Sequence, residues 1–199
     1  MNVWALEAAG TASIVTTRIV VRYAMRPVPV IVALLVCASD AHAQPRWTAD
    51  VSMAALREAW DINESTDSLV GLGLGIDRRV WRGASLRGEL LGLRVMQQPE
   101  SAWLRGFTVG VRTRWRRAAL RPLIDVAVGL SDSTRPVPFR GTRTNYLALI
   151  GAGVEMSVRS AMIAVTGRWL HASNNGRDGR HLNPDIQSLG VTVGVGWEY

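Results

Sequence analysis

The sequence predicts an all-β fold, an eight-stranded antiparallel up-and-down barrel that crosses a membrane. Three observations carry this. Past residue 44, no stretch reaches the ~18 consecutive apolar residues of a membrane helix. In its place stand eight runs of about ten to fifteen residues with alternating hydropathy, longer than the ~5–6 residues usual in globular sheets. The breaks between runs are alternately short and long, as periplasmic turns and extracellular loops are in outer-membrane barrels.

The runs are Thr48–Trp60, Ser68–Trp81, Ala84–Met96, Trp103–Trp115, Ala119–Leu130, Arg143–Val158, Ala161–Ser173 and Ile186–Tyr199. The second sets Val70, Leu72, Leu74 and Ile76 against Gly71, Gly73 and Gly75. In the fourth, Phe107, Val109 and Val111 oppose Thr108, Gly110, Arg112 and Arg114. The eighth sets Leu189, Val191, Val193, Val195 and Trp197 against Thr192, Gly194, Gly196 and Glu198. In a soluble sandwich the polar face would meet water. In a membrane barrel the apolar face meets lipid, and the small or charged face fills the lumen. Arg112, Arg114, Asp125, Glu155 and Arg168 are then lumen charges, which must pair because an unpaired buried charge is costly. Trp60, Trp81, Trp103, Trp115 and Trp197 stand near run ends, as an aromatic girdle requires. Short links follow runs two, four and six (82–83, 116–118, 159–160), and longer ones follow runs one, three, five and seven (61–67, 97–102, 131–142, 174–185). An even strand number returns both termini to the periplasm, and the chain closes on an aromatic residue, Tyr199.

Residues 1–43 read as an N-terminal extension and cleaved signal peptide, and 44–199 as the barrel domain. Arg26 precedes the apolar run 28–38, and Ala41-His42-Ala43 supplies a small-residue cleavage site. Met25 is a second candidate start. Cys37 is the only cysteine, so no internal disulfide forms, and the bulky Val36 before it disfavours a lipoprotein site. The net charge is +7 and every basic side chain is arginine. These arginines punctuate strand ends and do not form a block, which argues against nucleic acid and suits anionic lipid. Gly71, Gly73 and Gly75 are no phosphate loop, since no helix follows them. His181 reads as a solvated loop residue, and neither a metal cluster nor a cofactor is expected.

The seventh run ends in His171-Ala-Ser173-Asn174 with Gly176 following. Residues two apart on a strand share a face, with Cα atoms about 7 Å apart. A histidine and a serine so placed suit base and nucleophile. The topology sends this end to the extracellular rim, and odd parity, shared with Ile163, Val165 and Trp169, turns the pair toward lipid.

The H-x-S-N-x-G pattern, followed by Asn183-Pro184 and a last strand, resembles the lipid A 3-O-deacylase (PagL-type, acyloxyacyl hydrolase) family. The close match covers roughly the last thirty residues, and the eight-strand plan extends it loosely over the mature chain. The resemblance implies an outer-membrane esterase that removes the 3-O-linked 3-hydroxyacyl chain of lipid A with a Ser-His-Glu triad and no metal or other cofactor. It implies Ser173 as nucleophile, His171 as base, and Asn174 with Gly176 at the oxyanion. Alignment on Asn183-Pro184 puts Gln187 where the family has glutamate; alignment by distance from Ser173 puts Asp185 near it. The implied partner is lipopolysaccharide of the outer leaflet, with a homodimer left open. Two other readings remain: a non-catalytic small barrel with a structural or loop-binding role, and a lipid A acyltransferase.

Overall fold

The computed structural model describes residues 46–59, 67–115 and 120–199. They form eight strands: β1 (Trp47–Glu58), β2 (Ser68–Trp81), β3 (Ala84–Met96), β4 (Ala102–Arg114), β5 (Leu120–Val137), β6 (Thr142–Val158), β7 (Ala161–Ser173) and β8 (Ile186–Glu198). Each pairs antiparallel with the next, and β8 pairs with β1, so the barrel closes. Closure removes every sheet edge, the condition for strands to sit in hydrocarbon without unpaired backbone groups. No described helix is long and apolar enough to cross a membrane. The leader, with Cys37 and the cleavage motif, lies outside the described residues, as does Trp60.

The alternation sorts side chains as the sequence requires. Val70, Leu72, Leu74 and Ile76 on β2, and Val126, Val128 and Leu130 on β5, all point outward and are exposed. Trp81, Trp103, Trp115 and Trp197 are also exposed, near strand ends.

The lumen has two storeys. The one nearer the chain termini is ionic. Arg112 donates to Asp125 at 2.8 Å, Arg114 to Asp77 at 2.6 Å and to Glu155 at 3.1 Å, and Arg168 to Glu89 at 3.1 Å. Arg87 bridges Asp50, Asp77 and Glu89. The expected pairing of lumen charges is met. Small residues make room for it: a Cβ on Gly73 would come within 2.6 Å of Ser52 Oγ and 2.9 Å of Glu89 Oε1. The other storey is apolar, which the sequence reading did not foresee. Leu56, Leu69, Leu93, Leu104, Leu149 and Leu170 are all at most 4 % exposed there. It stands directly beneath the end of the barrel that carries His171 and Ser173.

Strands β2, β3 and β7 have the bounds read from the sequence. Strand β5 does not: it runs to Val137, where the sequence suggests a loop from Ser131. Side chains take over hydrogen bonds that a loop would leave to water. Asn145 Nδ2 donates to the carbonyls of Val137 and Thr142, and Arg143 Nε to that of Ser133. With Val137 fully buried, the β5–β6 hairpin extends beyond its neighbours and turns only at residues 138–141.

Candidate active site

Strand β7 delivers His171 and Ser173 to its last turn-ward positions, against β6 on one side and β8 on the other. His171 pairs laterally with Ala148 and Gln187, and Ser173 with Tyr146. Small Ala148 leaves the imidazole open on one flank, and Trp169, two residues back on the same face, stacks on it (centroids 5.8 Å apart, planes at 15°). That stack restricts the ring's rotation.

The link between β7 and β8 is a folded loop. Asn174 Nδ2 donates to Leu182 O at 2.6 Å, and Gly176 N–H to Asn174 Oδ1 at 2.7 Å. A single 3₁₀ turn spans Arg180–Leu182. Asn175 and Gly176 both have left-handed backbones, φ 55° and 72°. Asparagine and glycine tolerate this region best, which explains the Asn-Asn-Gly step. His181 is exposed in this loop, as expected.

The loop brings Asn183 and Asp185 back over the strand end. Asp185 Oδ2 lies 3.6 Å from His171 Nδ1, with side chains 20 % and 27 % exposed. Nδ1 itself is buried and has no hydrogen-bond partner at bonding distance among the described residues. Gln187 lies beside His171 in register, yet its amide Nε2 donates to Asp185 Oδ2 at 2.8 Å. Of the two candidate acids, the carboxylate therefore faces the imidazole and the amide braces the carboxylate.

Ser173 has the outward parity of His171 but is buried, 6 % exposed. The covering group is Asn183, whose Oδ1 accepts both the Ser173 hydroxyl and the Asn174 N–H, each at 2.9 Å. Ser173 Oγ in turn accepts the Asn175 N–H at 3.0 Å. The serine hydrogen thus goes to Asn183, not to His171. The N–H of Gly176 is engaged within the loop, as is the Asn174 side chain. Asn183 was legible in the sequence only as a flanking Asn-Pro. Its reach over Ser173 depends on the loop's return path, which no local pattern encodes.

A family model described as lipid A 3-O-deacylase (PagL) matches residues 38–196. The chain belongs to that family. Among solved structures, the outer-membrane enzyme PagL is 18 % identical, with 74 % of this chain and 97 % of that one covered, at a TM-score of 0.54. Neisserial surface protein A (NspA) is 11 % identical over 78 % of this chain and 97 % of that one, also at 0.54. At such identities the structures establish the fold alone. No curated protein matches the chain. Family and fold place this PagL-family chain in the bacterial outer membrane.

Proposed function

We propose that the chain is an outer-membrane esterase that hydrolyses the 3-O-linked 3-hydroxyacyl chain of lipid A, with Ser173 as nucleophile, His171 as base and Asp185 as acid. The observation that supports it most is the placement of the Asp185 carboxylate at His171 Nδ1, on the face of β7 that Ser173 shares. A proton held on Nδ1 toward Asp185 leaves Nε2 free to accept one from serine. Catalysis then requires the Ser173 hydroxyl to turn from Asn183 to His171. Its oxygen attacks the ester carbonyl as Nε2 takes the proton, and the imidazolium returns that proton to the departing sugar hydroxyl. Water, deprotonated by the same base, then attacks the acyl-enzyme carbonyl; the bond between Ser173 Oγ and the acyl group breaks, the imidazolium returns the proton to Ser173 Oγ, and the 3-hydroxy fatty acid leaves. Asn174 and the Gly176 N–H are the proposed oxyanion donors. The site lies at the extracellular rim, where the ester linkages of an outer-leaflet lipid are within reach.

A second reading has a specific observation in its favour. In this structure the serine hydrogen and the Gly176 N–H are both already engaged inside the protein. A non-catalytic barrel, its loop locked by Asn183, accounts for that directly. One experiment separates the two. The full-length chain is expressed in cells whose lipid A is fully acylated, and extracted lipid A is weighed by mass spectrometry. Loss of one 3-hydroxyacyl chain, abolished by Ser173→Ala, supports the esterase. Unchanged lipid A with folded wild-type barrel in the membrane supports the second reading, and a gained acyl chain would indicate a transferase.

A further inference from the structure

The outer wall is apolar through its middle, but near the extracellular strand ends it carries three arginines. Arg57 on β1, Arg94 on β3 and Arg105 on β4 have outward parity, and all are exposed. None makes an ion pair or side-chain hydrogen bond with any described residue. The contrast with the lumen is sharp, since Arg87, Arg112, Arg114 and Arg168 are each paired there. The carboxylate nearest in register is Asp132, opposite Arg105, and it faces Arg143 at 3.9 Å.

The register ties the three together. Arg94 sits opposite Trp103, and Arg105 opposite Gly92, two residues away on each strand. That makes the two guanidinium-bearing residues diagonal neighbours, with Cα atoms roughly 7–8 Å apart. Gly92 leaves open space on that wall, with no atom within 4 Å of where a Cβ would stand. Arg57 lies opposite Leu189, and Ala59 N–H bonds to Gln187 O. Arg57 is therefore one diagonal from Gln187, the residue that braces Asp185. From β1 to β4 the row covers about 15 Å at the usual strand spacing.

Unpaired guanidinium groups at the lipid boundary match one ligand chemistry well. A planar fork of N–H donors binds phosphate oxygens in two parallel charge-assisted bonds, and a boundary of low polarity strengthens them. Exposed Trp103 beside Arg94 fits an interfacial depth, where amphipathic rings sit at headgroup level.

We propose that Arg57, Arg94 and Arg105 form a guanidinium belt that binds the phosphate groups of outer-leaflet lipid, beginning beside the candidate active site and running from it across β1 to β4. The proposal rests on outer-membrane placement and not on hydrolysis, so it is tested on the full chain carrying Ser173→Ala. That protein, refolded in neutral detergent, is titrated with bisphosphorylated lipid A and with the same lipid after phosphatase treatment. Bound lipid is counted by native mass spectrometry, and folding is checked by heat-modifiable gel mobility. Bisphosphorylated lipid A is expected to bind about a hundredfold more tightly than the dephosphorylated form, at about fivefold per arginine. Replacing all three by glutamine (Arg57→Gln, Arg94→Gln, Arg105→Gln) should erase the difference. Each single change should cost about fivefold, and arginine-to-lysine changes should restore part of it. Equal binding of the two lipids, or undiminished preference in the folded triple variant, overturns the proposal. Full competition by millimolar inorganic phosphate would show a free-anion site and overturn the assignment to lipid.

Discussion

At the scale of single residues, the decisive question is which side chain compensates an imidazolium on His171. An amide can hold the ring by a hydrogen bond but offers no charge, and in the serine-protease template replacing the acid by its amide costs about 10⁴ in rate. Asp185 carries the charge and faces Nδ1, while Gln187 donates to it. Asp185→Asn is therefore expected to lower kcat by roughly 10³–10⁴, whereas Gln187→Ala, which removes one bracing hydrogen bond, costs about tenfold or less. The two positions also predict different responses to Gln187→Glu. If position 187 were the acid, glutamate there would raise the rate. With Asp185 in that role, a second carboxylate where the amide now sits 2.8 Å away repels it and favours a shared proton, so the rate falls at neutral pH. Lipid A deacylation rates of the three variants in membranes decide between them. Asn183 gives a second test. Asn183→Asp keeps an acceptor 2.9 Å from Ser173 Oγ but adds charge beside a developing oxyanion. The expected loss is roughly a hundredfold in kcat with little change in KM, while Asn183→Ala stays within about tenfold.

At the scale of elements, strands were readable where the alternation was strict and the ends were marked. Strands β2, β3 and β7 keep to their sequence bounds: the two-residue turns Arg82-Gly83 and Arg159-Ser160 and the Gln97-Gln98-Pro99 and Asn174-Asn175-Gly176 breaks flank them. The end of β5 was not readable. Ser131-Asp-Ser-Thr-Arg-Pro136 has the composition of a loop, and its strand geometry depends on Asn145 and Arg143 of the following strand. The candidate site divides the same way. His171 and Ser173 were legible because parity on one strand sets them on one face. The choice between Asp185 and Gln187 was not, because it depends on how a twelve-residue link folds back. The β1–β2 end has a testable electrostatic feature of its own. Asp67, just before β2, is buried, and Glu58 at the end of β1 is its acidic neighbour. Burial first, then the Glu58 charge, raises the Asp67 pKa from 3.8 to about 6. A carboxyl whose pKa is higher folded than unfolded favours the fold most below the unfolded value, and that contribution is lost as pH rises to about 6. Asp67→Asn should therefore raise the unfolding temperature at pH 8 and leave it nearly unchanged at pH 4. Heat-modifiable gel mobility at the two pH values measures this; equal shifts at both would show that Asp67 does not titrate in this range.

At the scale of the whole molecule, the two storeys of the lumen set what the barrel does. Acid–base pairing fills the storey near the termini, and close-packed leucine fills the one under the site. A plugged lumen leaves the outer wall and the rim as the surfaces available for chemistry, which fits the proposed action on the surrounding lipid. The leucine storey gives the ends of β7 and β8 a rigid floor: Leu170, Ala172 and Ile186 are each at most 1 % exposed. The ionic storey acts as a single unit. Asp77, 1 % exposed, faces Arg87, Arg112 and Arg114 together. Removing it leaves three buried guanidinium groups short of one countercharge, a loss of about 3–5 kcal/mol by comparison with other broken buried pairs. Asp77→Ala should therefore unfold at markedly lower urea concentration than wild type. Asp77→Asn, which keeps a hydrogen-bond acceptor but not the charge, should fall between them. The contrast that tests the storeys as separate units is a double variant. Asp77 and Asp185 sit at opposite ends of the barrel and share no partner among the described residues, so Asp77→Asn combined with Asp185→Asn should show additive losses of stability within about 0.5 kcal/mol. Deacylation by Asp77→Asn alone, measured on the folded fraction, should stay near wild type. A large drop in that specific activity would mean that the ionic storey also sets the geometry of the rim.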